Sequence, residues 1–137
     1  MVVVDASVAY KLFSPTEENA EVAVGLFKDH ITSKNKIIVP DLIIYELANV
    51  WSTKTALGVK QIRQNLSDLK EAMLDMEAVT FNFLEKVIEI SKKYKISAYD
   101  ATYIVLAKER KCVLVTADAK LISQVKLPFV KDLANYS

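Results

Sequence analysis

Glycine and proline are scarce in this chain, with two and three residues among 137. So few breakers exclude long irregular loops and favour helices joined by short connections. One cysteine, Cys112, lies inside an apolar run. A lone cysteine excludes an internal disulfide, points to a reducing compartment and reads as a small buried hydrophobe. The only histidine, His30, falls near a helix end and reads as structural or surface. No apolar run is long enough to span a bilayer. The start, Met1-Val2-Val3-Val4-Asp5, lacks the basic region and small-residue cleavage site of a signal peptide. The expectation is a cytoplasmic protein without membrane contact. Net charge is only +1. A protein held on nucleic acid by global charge would be more basic, so any such contact needs a local patch or a bound metal.

Hydrophobic residues make up 52% and charged residues 26% of the chain, an ordinary globular balance. The length suits one domain, residues 1–137, with a core that needs no staple. No internal repeat, low-complexity stretch or linker interrupts it.

Short β-branched runs alternate with longer amphipathic segments. Val2-Val3-Val4, Ile37-Ile38-Val39, Ala78-Val79-Thr80 and Val113-Leu114-Val115-Thr116 read as strands, with Phe129-Val130 a candidate fifth at an edge. A short helix spans about Ser7 to Phe13. Ser14-Pro15-Thr16-Glu17 reads as a capping box opening a helix with Ala20, Ala23, Val24 and Phe27 inward. A helix from about Asp41 to Leu57 has Ile44, Leu47, Ala48 and Trp51 as its core stripe and Gly58 as its C-terminal cap. Ile62, Leu66, Leu69, Met73 and Met76 form the next stripe, read as core or as a seat for a partner helix or dimer face. Leu84, Val87, Ile88 and Ser91 mark another helix, with Lys92-Lys93-Tyr94-Lys95 at its C-terminus. Ser97 caps a helix reaching about Arg110, and a short helix follows Asp118. Continuous apolar strands separated by helices predict an α/β fold: three layers, with a short parallel sheet of four to five strands between helices.

In such sheets ligands bind beyond the carboxyl ends of the strands. Asp5 ends the first strand, and Asp118 follows the fourth. Glu46 lies in the first turns of the helix after strand two, off its apolar stripe, beside Asn49 and Thr53. Asp100 lies in the first turn of the almost wholly apolar Ser97 helix, where an ionised carboxylate needs a partner. Singly, each has an ordinary role: Asp5 and Asp118 as caps, Asp100 in a capping box with Ser97, Glu46 as a solvated side chain. Jointly, one sheet edge could gather all four. Two carboxylates ~5 Å apart at an effective dielectric of ~20 repel by roughly 3 kcal/mol. Protons or divalent cations must relieve that repulsion. Oxygen ligands without histidine or cysteine suit Mg²⁺ or Mn²⁺ rather than Zn²⁺. Such ions commonly serve phosphate chemistry, activating a water and stabilising a leaving oxygen. Ser7 and Thr116 are placed to hold a water or a phosphate oxygen, or simply to cap local turns.

These blocks, in order, resemble a PIN domain of the VapC type. Val3-Val4-Asp5-Ala6-Ser7-Val8 resembles the opening strand and first acid. Pro40-Asp41-Leu42 through Glu46-Leu47-Ala48-Asn49-Val50 resembles the second block, Ser97-Ala98-Tyr99-Asp100-Ala101 the third, and Leu114-Val115-Thr116-Ala117-Asp118 the fourth. The resemblance implies that Asp5, Glu46, Asp100 and Asp118 bind Mg²⁺ or Mn²⁺, with Ser7, Thr116 and Asn49 in support. It also implies endonucleolytic cleavage of RNA by metal-activated water. Further implications are the toxin role in a toxin–antitoxin pair, a homodimer and inhibition by a cognate antitoxin protein. RNA as substrate rests on the resemblance alone.

Lys54, Lys60 and Arg63 around Gly58, with Lys11 and Lys120 near acids, are candidate RNA-phosphate contacts. Each also reads as an ordinary solvated charge. A phosphoaspartate hydrolase of the haloacid dehalogenase type would want a second acid where this chain has Ser7. A receiver domain would want an acid after the third strand, where Val79-Thr80-Phe81-Asn82 has none. A non-catalytic RNA- or protein-binding module on the same fold would have no reason to keep four repelling acids together.

Overall fold

The computed structural model describes residues 1–137. Five strands pair in parallel: β1 (Val2–Val4), β2 (Ile37–Pro40), β3 (Asp75–Glu77), β4 (Val113–Thr116) and β5 (Val130–Asp132). Their order is β3-β2-β1-β4-β5. The helices are α1 (Ala6–Leu12), α2 (Ala20–Ile31), α3 (Leu42–Thr53), α4 (Val59–Glu71), α5 (Phe81–Tyr94), α6 (Ala98–Arg110) and α7 (Ala119–Val125). A 3₁₀ turn covers Leu133–Asn135. The chain winds outward from β1 to β3, then returns to β4 on the other side of β1. α1 to α4 pack on one another, as do α5 and α6, with α7 bonded to the end of α5; the right-handed crossover rule assigns these two groups to opposite faces. The three-layered α/β arrangement is therefore as the sequence implies. No helix is long and apolar enough to cross a membrane.

β1, β2 and β4 are short runs of large aliphatics, nearly all buried, as expected for strands covered on both faces. β1 is central, and its register to β4 pairs Val4 with Val115. This sets Asp5 beside Thr116 as both chains leave the sheet. β3 falls earlier than the sequence suggests, over Asp75–Glu77 rather than Ala78–Thr80. It is an edge strand with β2 as its one neighbour, so an apolar run is not needed there. Thr80 instead caps α5, accepting from Phe83 N at 3.2 Å. β5 likewise starts at Val130 and runs past the expected pair.

Details of four helices also differ. Ser14 to Glu17 form turns, with Glu17 N donating to Ser14 O, and α2 begins only at Ala20. α3 ends at Thr53, because Thr53 and Thr55 hydroxyls donate back to Asn49 O and Trp51 O. Gly58 therefore is not its C-cap but precedes α4 in extended conformation. The inward stripe of α3 is Ile43, Leu47 and Trp51, leaving Ile44 exposed and Ala48 half-buried. In α4 only Leu69 of the expected stripe is fully buried; Met73 and Met76 lie beyond the helix and are exposed. In α5 the buried residues are Phe83 and Val87, not Leu84 and Ile88. Cys112 is half-buried. His30 is a buried pin: Nε2 lies 3.1 Å from the carbonyls of Ala72 and Met73, and Nδ1 accepts from Ile37 N at 2.9 Å.

Scarce glycine leaves a mark on the helix ends. Lys95, Lys111 and Lys126 close α5, α6 and α7 at φ of 55°, 53° and 50°, the left-handed conformation that glycine adopts without strain. An L side chain costs roughly 1–2 kcal/mol there, partly offset by glycine's greater unfolded-state entropy. Lys111→Gly should therefore stabilise the fold by about 0.5 kcal/mol, read as a higher urea midpoint. A lowered midpoint would contradict the strain.

Candidate active site

Asp5 stands where β1 gives way to α1, at the point where the winding of the sheet reverses, and is 6% exposed. Ser7 Oγ donates to its Oδ1 at 2.5 Å, and Val8 N donates to the same oxygen at 3.2 Å. Thr116 Oγ1 donates to Oδ2 at 2.5 Å. The two hydroxyl oxygens in turn accept from Ala117 N at 2.9 Å and Asp118 N at 3.1 Å. Asp5 is thus braced from both sides, and the brace ties the end of β1 to the loop after β4. With their protons committed to Asp5, Ser7 and Thr116 orient that carboxylate rather than present donors to a water or phosphate. Burial nonetheless raises Asp5 to about 6; these bonds pull it down, and the nearby Asp100 charge pushes it up.

Glu46 lies in α3 and accepts from Tyr103 Oη at 2.6 Å. Burial raises its pKa, the Tyr103 bond lowers it, and Asp5 and Asp100 raise it further. Asp100 is also raised, by burial and then by Asp118, against a lowering bond from Ser97. Asp5, Glu46 and Asp100 are therefore each raised in part by a neighbouring acid, Asp118 being the one that acts on Asp100. Tyr103 was invisible in the apolar periodicity of α6. Its one signal is spacing: three residues after Asp100, it lies on the same helical face. Buried among Glu46, Asp5 and Asp100, its phenol is driven far up and stays a proton donor.

The ordinary roles coexist with this gathering. Asp5 caps α1, Asp118 caps α7 by accepting from Leu121 N at 3.1 Å, and Ser97 caps α6 by accepting from Asp100 N at 3.0 Å. Glu46, Asn49 and Lys54 line a cleft of about 370 Å³. Lys11 is engaged elsewhere, donating to Glu18 O at 2.7 Å. Lys60, Arg63 and Lys120 are exposed, and none lines the cleft.

The donor set is all oxygen and strongly anionic. No three acidic, His or Cys side chains converge tightly enough to enclose an ion by themselves. An all-oxygen donor set is the chemistry that Mg²⁺ or Mn²⁺ takes, through one or two carboxylates and several waters. Asp5, Asp100 and Asp118, with Glu46 beside them, are the residues that would hold it.

Asp5 titrates higher in the folded chain (about 6) than at its ordinary value of 3.8. Its share of metal-free stability is therefore present below about pH 4 and lost as pH rises through 6, about 3 kcal/mol in all. Asp5→Asn cannot ionise and should escape that loss. In EDTA the mutant should melt near the parent at pH 4 and above it at pH 7. A mutant equally destabilised at both pH values would contradict the burial penalty.

A family model described as PIN domain matches residues 2–127. A curated relative, exonuclease VapC9 of Pyrobaculum aerophilum, is 26% identical over 96 residues, covering 70% of this chain and 72% of the relative. Among solved structures, PAE2754 of Pyrobaculum aerophilum superposes with a TM-score of 0.72 at 22% identity, over 96% of this chain and 83% of that one. A toxin–antitoxin complex from Klebsiella pneumoniae gives 0.71 at 14% identity, over 97% and 98%. VapC20 of Mycobacterium tuberculosis, described as a sarcin-ricin loop cleaving toxin, gives 0.70 at 15% identity, over 95% and 97%. With the family model matched across all but the ends and the fold shared along nearly the whole chain, this protein belongs to the PIN-domain family.

Proposed function

We propose that this chain is a Mg²⁺- or Mn²⁺-dependent endoribonuclease, a single PIN domain over residues 1–137 that acts as the toxin of a toxin–antitoxin pair. The observation that carries the chemistry is the cluster itself. Three carboxyl groups, Asp5, Glu46 and Asp100, are raised by burial and by acidic neighbours at one sheet edge. Such a cluster has a use as a cation seat and is a liability without one.

When bound, the cation would neutralise these charges and activate the attacking water. The chain's own residues do the rest. Ser7 and Thr116 hold Asp5 in one orientation through both oxygens. Tyr103 holds Glu46, whose raised pKa suits it to accept a proton from the attacking water. Lys54 and Asn49 line the same cleft as Glu46, which supports a role for Lys54 in meeting a substrate phosphate. RNA as substrate draws support from the VapC20 description, and an antitoxin partner from the Klebsiella complex. The homodimer is carried over from the family resemblance.

Purified protein should cleave single-stranded RNA with Mg²⁺ or Mn²⁺ and stop in EDTA. Asp5→Asn and Asp100→Asn should each lose at least about 100-fold in rate. Full activity in Asp5→Asn would overturn the mechanism. Tyr103→Phe should keep its packing yet free Glu46, lowering kcat about 10-fold with KM little changed. Unaltered kcat would mean that Tyr103 does not position Glu46.

A further inference from the structure

We propose that Tyr45 and Tyr99 form a stacking platform for an unpaired base of single-stranded RNA; this rests on the ribonuclease reading above. Each tyrosine immediately precedes an acid of the cluster, Tyr45 before Glu46 on α3 and Tyr99 before Asp100 on α6. Neighbours on a helix point about 100° apart, so acids turned to the cluster leave these rings at its rim. Tyr45 is 77% exposed and Tyr99 61%, whereas Trp51 and Tyr103 on the same two helices are buried. Both helices thus place aromatics in the core elsewhere and leave these two open to solvent.

The two rings border the same two depressions. They line the cleft that holds Glu46, Asn49 and Lys54, and also a second groove of about 200 Å³ that includes Val79 and Leu84. Leu42 lines both depressions as well, so the two adjoin. The mixture of charge and aromatic surface selects the occupant. A nucleotide offers an anion for Lys54 and a flat apolar face for a tyrosine ring, about 1–3 kcal/mol per stacked base. An apolar protein segment would cover Glu46 and Lys54 without pairing them. A duplex keeps its base faces stacked inside and has none to offer.

The probe is a mixed-sequence RNA of about ten nucleotides, within the usual single-strand site size, carrying one 2-aminopurine whose fluorescence falls on stacking. Binding is measured in EDTA, where no cutting is expected, and cleavage separately in Mn²⁺. The parent should bind and quench the probe. Tyr45→Leu and Tyr99→Leu should each lose quenching, weaken Kd at least about five-fold and raise KM with kcat kept, while the Phe variants behave as parent. Sedimentation should show one oligomeric state for all. Leu variants that bind and quench like the parent overturn the platform, as do variants that change oligomeric state with RNA binding intact, since the face would then seat a second copy. A parent that quenches but never cleaves overturns the ribonuclease reading and leaves the platform standing. One that cleaves with no response to either ring does the reverse.

Discussion

Asp5 is a carboxylate placed at the end of the central strand and almost sealed from water. Three donors surround it, yet burial still outweighs them and lifts its titration to about 6. That imbalance orders much of the site. The Ser7 and Thr116 hydroxyls that compensate it also bind the loop after β4 to the end of β1. Asp118 is fixed by the same loop, where its side chain caps α7. Asp100 and Glu46 reach the same edge from α6 and α3, and the charge of Asp100 raises both Asp5 and Glu46. The parallel sheet creates the place, because its winding reverses at β1 and leaves a crevice between the ends of β1 and β4.

What was legible in the sequence follows from burial. β1, β2 and β4 are covered on both faces, so they appear as unbroken aliphatic runs, and acids after β1 and β4 could be placed at their ends. β3 was misplaced because an edge strand with exposed side chains carries no such signature. Ser97 and Asp118 were legible as caps, and both cap helices. The Ser14 to Glu17 pattern had the letters of a capping box but only turns around it, since capping chemistry is local and also serves turns. Gly58 was assigned to the wrong helix because threonine hydroxyls, not a left-handed glycine, close α3.

Tyr103 is the instructive omission. On an apolar helix its ring counts as core, and it is core, but its hydroxyl reaches Glu46 across fifty-seven positions of sequence. Only a long-range contact reveals that role. Lys54 gained weight from its place on the cleft, while Lys11 lost it to Glu18. Membership of the PIN family is the context in which this edge is read. The chain's own geometry supplies a braced Asp5, a tethered Glu46 and a rim of two open tyrosines.

Burial, acting against three hydrogen bonds, lifts Asp5, and a cation bound there would reverse the lift. Carboxyl ¹³C NMR titration of the metal-free protein tests it at the atom concerned. Asp5 should titrate near pH 6, and saturating Mg²⁺ should move its midpoint well below that. An Asp5 that titrates at an ordinary carboxyl value with and without Mg²⁺ would contradict the account.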